Sequence, residues 1–224
     1  MRKIKKVIVF SILIYSLVTA ITSCTSTTLY PENSIRVACI GDSITEGSFM
    51  LNKKKYNYPT QLNKLLDERF LVENFGVNGA CATENSNKPY TSLSEYHKSI
   101  AFSPDIVLFM LGTNDSKTYN WNKEAFFIDY KSLVSTYLNL PSKPRVIIMT
   151  SIPAYSNTYK IQAAIIQNEI VPSVKAFCEE NNLEMIDLNK DFTNKKELYI
   201  IDGIHLNQAG GQYMAKTVFK SIDW

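Results

Sequence analysis

The sequence predicts an α/β domain, a three-layer α/β/α sandwich on a five-stranded parallel sheet, and three observations carry that expectation. Short apolar runs alternate with longer amphipathic stretches from residue 35 to 224, the pattern of repeated βαβ units. No glycine-, serine- or proline-rich linker divides this span, so a single core is expected. The unusual residues fall directly after the apolar runs, which in a parallel sheet brings them to one edge.

Strands are expected at Ile35 to Ile40, Phe70 to Asn74, Ile106 to Leu111, Arg145 to Thr150 and Leu183 to Ile186. Helical periodicity lies between and after them. Pro59 to Asp67 carries leucines at 62, 65 and 66, and Glu124 to Leu138 forms a second pattern. A long third runs from about Ile161 to Asn181, where Pro172 should kink or split it, because proline has no N–H to donate. The last, Gln208 to Ile222, follows Asn207, a good N-cap. With right-handed crossovers, these elements suggest the flavodoxin-like strand order.

The first residues differ in kind. Arg2, Lys3, Lys5 and Lys6 precede an apolar run from Val7 to Ile21 and then Thr22-Ser23-Cys24. Residues 1–23 read as a secretion signal, too short in its uncharged part for a spanning helix. Small residues before a cysteine resemble the lipobox of bacterial lipoproteins, which implies Cys24 as a lipid-modified first residue and 24–34 as a polar tether. The expected location is outside the cytoplasm, held to a membrane by the lipid alone. Of 24 Lys and Arg, four lie in 1–23, leaving 20 against 21 acidic residues. The basicity therefore belongs to the leader, Lys53-Lys54-Lys55 reads as a solvated loop, and nucleic acid is not an expected partner. Cys39, Cys81 and Cys178 contain no Cys-x-x-Cys pair, so no zinc site is expected. Cys39 and Cys81 are close enough to strand ends to pair in an exported protein, but buried free thiols are the simpler reading.

Four loops after strands carry chemistry-bearing residues. Gly41-Asp42-Ser43 follows the first strand, and Asn74-Phe75-Gly76-Val77-Asn78-Gly79 ends the second. Gly112-Thr113-Asn114-Asp115 follows the third, and Ser151-Ile152-Pro153-Ala154-Tyr155 the fourth. Ser43 is the candidate nucleophile. A serine hydroxyl needs a base oriented by a carboxylate. Of the two histidines, His97 sits in a polar stretch and reads as a surface residue, whereas His205 follows Asp202 by three residues in a loop entering the last helix. Candidate oxyanion donors are the backbone amides of Ser43 and Gly79 and the side-chain amide of Asn114. Asp42 and Asp115 are expected to brace loops, since a carboxylate beside the nucleophile opposes oxyanion charge.

Together, Gly41-Asp42-Ser43, Asn74-x-Gly76-x-x-Gly79, Gly112-x-Asn114-Asp115 and Asp202-x-x-His205 resemble the SGNH hydrolases, the branch of the GDSL esterase/lipase family named for four residues in four blocks. One position departs, Ile44 standing where the family name has leucine. The resemblance covers essentially the whole domain. It implies the flavodoxin-like SGNH fold, Ser43 as nucleophile, Gly79 and Asn114 as oxyanion donors, His205 as base with Asp202 behind it, an acyl-enzyme, and no cofactor or metal.

Substrate contacts are expected from segments 49–58, 84–96, 116–124 and 152–159, which are polar and aromatic rather than aliphatic. Tyr56, Tyr58, Tyr90, Tyr119, Trp121, Tyr155 and Tyr159 offer flat faces suited to sugar rings. A small acyl ester on a carbohydrate, acetyl foremost, is the expected substrate, and the resemblance is to the carbohydrate-esterase members. The alternatives are a lysophospholipase or thioesterase with the same triad, and a non-catalytic glycan-binding lipoprotein.

Overall fold

The computed structural model describes residues 33–224. The leader expected at 1–23, Cys24 and nearly all of the 24–34 tether lie outside the described residues. Five parallel strands, β1 (Ile35–Gly41), β2 (Phe70–Gly76), β3 (Ile106–Met110), β4 (Arg145–Met149) and β5 (Glu184–Ile186), pair in the order β2-β1-β3-β4-β5. This is the expected flavodoxin-like order. The chain leaves β1 for β2 on one side and later returns to β3 on the other, so the order reverses at β1 and a crevice opens at its carboxyl end.

Nine α-helical segments accompany these strands among the described residues. α1 (Ser43–Glu46), α2 (Lys53–Tyr56) and α3 (Tyr58–Leu65) lie between β1 and β2, and α4 (Ser94–Ala101) between β2 and β3. α5 (Lys123–Leu138) precedes β4, α6 (Ala163–Ile165) and α7 (Val171–Glu180) precede β5, and α8 (Leu188–Asp191) and α9 (Gln208–Ser221) follow it. Strand alternation sorts side chains onto two faces. Val37, Cys39, Leu108, Met110, Ile147 and Met149 pack with Leu62 of α3 and Met214, Ala215 and Val218 of α9 in one buried layer. On the other face Phe109 meets Tyr130 and Tyr137 of α5 edge-on, and Tyr130 meets Phe177 of α7.

The helix from 161 to 181 is split, as expected of Pro172: α6 runs into a widened turn, Ile166–Ile170, where the Val171 N–H reaches back five residues to the Ile166 carbonyl. Pro172 follows directly and has no N–H, so the ladder is reset ahead of it, and Ile161 is left in a loop. One element differs from the expectation: α4, in a stretch too polar to read as helical. Its one buried residue is Ser99, whose hydroxyl contacts both the Tyr137 hydroxyl (2.8 Å) and the Tyr96 carbonyl (2.7 Å). A crossover of some kind is obligatory there, because β2 and β3 flank β1 and run parallel. His97 lies exposed on this helix, as expected of a surface residue.

Cys39, Cys81 and Cys178 are free and buried. Burial pushes the Cys39 and Cys81 thiols up to about 12, so they behave as small apolar groups. No helix among the described residues is long and apolar enough to cross a membrane.

Candidate active site

The turn after β1 explains how Ser43 is placed. Asp42 is the N-cap of α1, its Oδ1 accepting the Ile44 N–H at 2.9 Å, and Ser43 is the first helical residue. The first amides of a helix have no intrahelical acceptor, so the Ser43 N–H sits where a developing negative charge is favoured. The turn lies close against the sheet: a Cβ at Gly41 would stand 2.1 Å from the Thr45 hydroxyl, which is why only glycine fits there. Asn74 ties the neighbouring loop to it, donating to the Thr45 carbonyl (2.8 Å) and accepting from the Gly76 N–H (2.9 Å). Asn78 N–H is held by Glu46 at 2.7 Å.

The segment before α9 supplies the partners. Asp202 Oδ1 accepts from the backbone amides of Ile204 and His205, both at 2.9 Å, and its Oδ2 lies 2.7 Å from His205 Nδ1. On the other side of the ring, His205 Nε2 lies 3.0 Å from Ser43 Oγ, across 162 residues of sequence. Ser43 and His205 are nearly inaccessible, at 3% and 4%. Burial pushes the Asp202 carboxyl up, but the His205 side chain and the two backbone amides outweigh it, so the group is held below its ordinary range.

A cavity of about 130 Å³ opens on these residues, lined by Ser43, Asn78, Thr113, Asn114 and His205 with Phe49, Tyr159, Ile161, Ile204 and Lys117. Asn114 Nδ2 spends one hydrogen on the Ala80 carbonyl at 3.2 Å, and a side-chain amide has two. The sequence-derived candidates Ser43, Asn114 and His205 thus line one cavity, with Asp202 directly behind. Gly79 is next to the lining residue Asn78 rather than on the lining itself; its φ of 82° is a conformation glycine adopts readily.

Asp42 and Asp115 brace loops, as expected. Asp115 accepts from Ala82 N–H (3.1 Å), Thr83 N–H (2.8 Å) and the Thr83 hydroxyl (2.7 Å), fixing the loop after β2 to the loop after β3. Burial pushes Asp42 up to about 6, against its hydrogen bond from Ile44 and the neighbouring Thr113.

The aromatic expectation needs correction. Of the seven side chains named from sequence, only Tyr159 lines the cavity. Tyr58 and Tyr90 are core residues, the latter donating to the Phe75 carbonyl at 2.8 Å, and Tyr155 donates to the Phe192 carbonyl at 2.7 Å. A tyrosine in a loop can anchor that loop as readily as face a ligand. The partner of Tyr159 is Phe49: the rings stack at 5.9 Å and 16°, and Phe49 lies 4.6 Å from the His205 ring. Both residues hold positive φ, 62° for Phe49 and 59° for Tyr159, an uncommon state for bulky side chains that clusters at functional sites. No sequence pattern signals such a conformation.

A family model described as GDSL-like Lipase/Acylhydrolase matches residues 39–213. An acetylxylan esterase of Xylanibacter ruminicola is 33% identical over 209 residues, 85% of this chain and 44% of that protein, so the chain spans less than half of that relative. Among solved structures, the Mycobacterium smegmatis aryl esterase superposes with a TM-score of 0.65 at 17% identity, covering 84% of this chain and 97% of that one. A lipase/acylhydrolase from Enterococcus faecalis gives 0.64 at 23% identity, with 84% and 94% covered. A carbohydrate acetylesterase family member from Sinorhizobium meliloti gives 0.63 at 18% identity, with 83% and 95% covered. These likenesses show the shared fold, and the family match spans most of the domain that holds all four blocks: the chain belongs to the GDSL-like lipase/acylhydrolase family.

Proposed function

We propose that this chain is a serine esterase that removes small acyl groups, acetyl foremost, from carbohydrates through an acyl-enzyme. The observation that carries the reading is the continuous path Asp202–His205–Ser43, 2.7 and 3.0 Å per contact, ending in one small cavity. Ser43 Oγ attacks the ester carbonyl as His205 Nε2 takes its proton, and Asp202 holds Nδ1–H and stabilises the imidazolium. The Ser43 N–H and the second hydrogen of Asn114 Nδ2 face the oxyanion. The leaving alcohol takes the proton from His205; water, activated by the same ring, then releases the acid and frees Ser43.

The cavity volume supports a short acyl group. A cavity of about 150 Å³ holds a molecule the size of benzene, and here the walls Phe49, Tyr159, Ile161 and Ile204 close on a similar space. Phe49 and Tyr159, 56% and 49% exposed, present a stacked aromatic surface at the opening, suited to the apolar face of a sugar ring. The similarity to an acetylxylan esterase supports the same direction. Turnover of 4-nitrophenyl acetate should exceed that of the octanoate, acetate should be released from an acetylated polysaccharide, and Ser43→Ala should abolish both. Faster octanoate turnover would assign a lipid or thioester substrate instead. The leader reading of 1–23 belongs to the same proposal: metabolic labelling with palmitate should mark the chain and fail in Cys24→Ala, and an unlabelled wild-type chain would refute the anchor.

A further inference from the structure

We propose that Lys117 is a carboxylate-binding residue, so that the acyl sugar this site takes is a sugar acid, such as an acetylated uronic acid. The inference rests on the carbohydrate-esterase reading and names its substrate class.

Lys117 is the one lysine or arginine on the cavity lining, and no carboxylate lines it. The residue is only 9% exposed. Its backbone is fixed in the loop after β3: its N–H donates to the Asn114 carbonyl at 3.2 Å, and its carbonyl accepts from the Asn120 and Trp121 amides, both at 2.9 Å. Lys117 is therefore held beside the oxyanion donor Asn114. Among the described residues its ammonium forms no ion pair within 4.0 Å. The adjacent Asp115 is unsuited as a partner, because its carboxylate is committed to Ala82 and Thr83. Asp42 feels the charge of Lys117 but is not within ion-pair distance of it.

Removing an ammonium from water without a partner is costly, and a bound anion supplies that partner. Two further lysines stand near the rim. Lys88 Nζ donates to the carbonyl of the lining residue Asn78 at 2.8 Å, and Lys160, next to Tyr159, lies over the Tyr119 ring at 5.5 Å. Glu46, the acid beside this rim, is paired with Lys53 and accepts from Ser48 and Asn78. Because Lys117 and Ser43 share a cavity of about 130 Å³, the carboxylate and the ester must be borne by the same or adjacent rings.

The test compares two rings that differ in one charge, monoacetylated glucuronic acid and monoacetylated glucuronamide, with 4-nitrophenyl acetate as a neutral reference. A charge-assisted contact should give the wild type a preference for the acid of about ten- to hundredfold in kcat/KM. Lys117→Met should bring the acid-to-amide ratio of kcat/KM to about one, whatever its rate on 4-nitrophenyl acetate, and Lys117→Arg should retain the preference. A wild type that treats acid and amide alike, or a Lys117→Met that loses both equally, would overturn the carboxylate assignment and leave the esterase standing. Absence of turnover on all three esters would overturn the esterase reading itself.

Discussion

Asp202→Asn separates geometry from proton chemistry in a way the structure makes unusually sharp. Asp202 Oδ1 is claimed by two backbone amides at 2.9 Å, while Oδ2 faces His205 Nδ1 at 2.7 Å. An asparagine keeps its single oxygen where two donors need it, so its amino group is forced toward Nδ1. A donor there makes Nδ1 an acceptor, moves the ring proton to Nε2, and leaves the nitrogen 3.0 Å from Ser43 Oγ unable to take a proton. The loop should survive, with a stability loss below about 2 kcal/mol from one weakened charge-assisted hydrogen bond. Activity should fall about 10⁴-fold in kcat, equivalent to about 5.5 kcal/mol of transition-state stabilisation. The assay is 4-nitrophenyl acetate turnover beside a denaturant midpoint on the same preparation. A variant with unchanged stability and activity within tenfold of wild type would refute the role of Asp202 in setting the tautomer.

Asn114→Ala removes one oxyanion donor and should lower kcat about 10²- to 10³-fold with a small effect on KM, read from initial rates; it also frees the Ala80 carbonyl, so a modest drop in the unfolding midpoint is expected. Phe49→Ala opens the wall against His205 and should raise butyrate turnover relative to acetate by about tenfold, as seen in a chain-length series. Asp42→Asn tests the buried carboxyl, whose pKa rises from 3.8 to about 6 on folding. A raised folded-state value means the stability it contributes is whole below about pH 4 and is lost as pH climbs through 6, at most about 3 kcal/mol. The variant keeps an oxygen for the Ile44 amide, so its denaturation midpoint should be flatter than wild type between pH 4 and 7; parallel curves would show that Asp42 does not ionise there.

Much of this was legible in the sequence because the signals are local or periodic. The apolar runs at 35–40, 70–74, 106–111, 145–150 and 183–186 supply the five strands, the central three largely buried, and a parallel sheet leaves little freedom in where their loops emerge. Ser43, Asn114, Asp202 and His205 follow from the chemistry an activated serine needs, placed at those loops. What was illegible depends on neighbours far away in sequence. Tyr58 and Tyr90 look identical to Tyr159 in composition, and only tertiary packing decides which of them turns inward. α4 hides in a polar stretch because a single small residue, Ser99, makes its buried contact. Phe49 and Tyr159 owe their place beside His205 to left-handed backbone conformations that no pattern of residue types announces. Lys117 reads as an ordinary loop charge until the cavity around it is seen.

The most direct test of the proposed chemistry is to treat the protein with diethyl 4-nitrophenyl phosphate, whose phosphoryl group traps an activated serine, and to map the modified residue by peptide mass spectrometry. The expected result is one diethylphosphoryl group on Ser43, loss of esterase activity in step with labelling, and no labelling in His205→Ala or Ser43→Ala. Label on another residue, or esterase activity that survives full modification of Ser43, would contradict it.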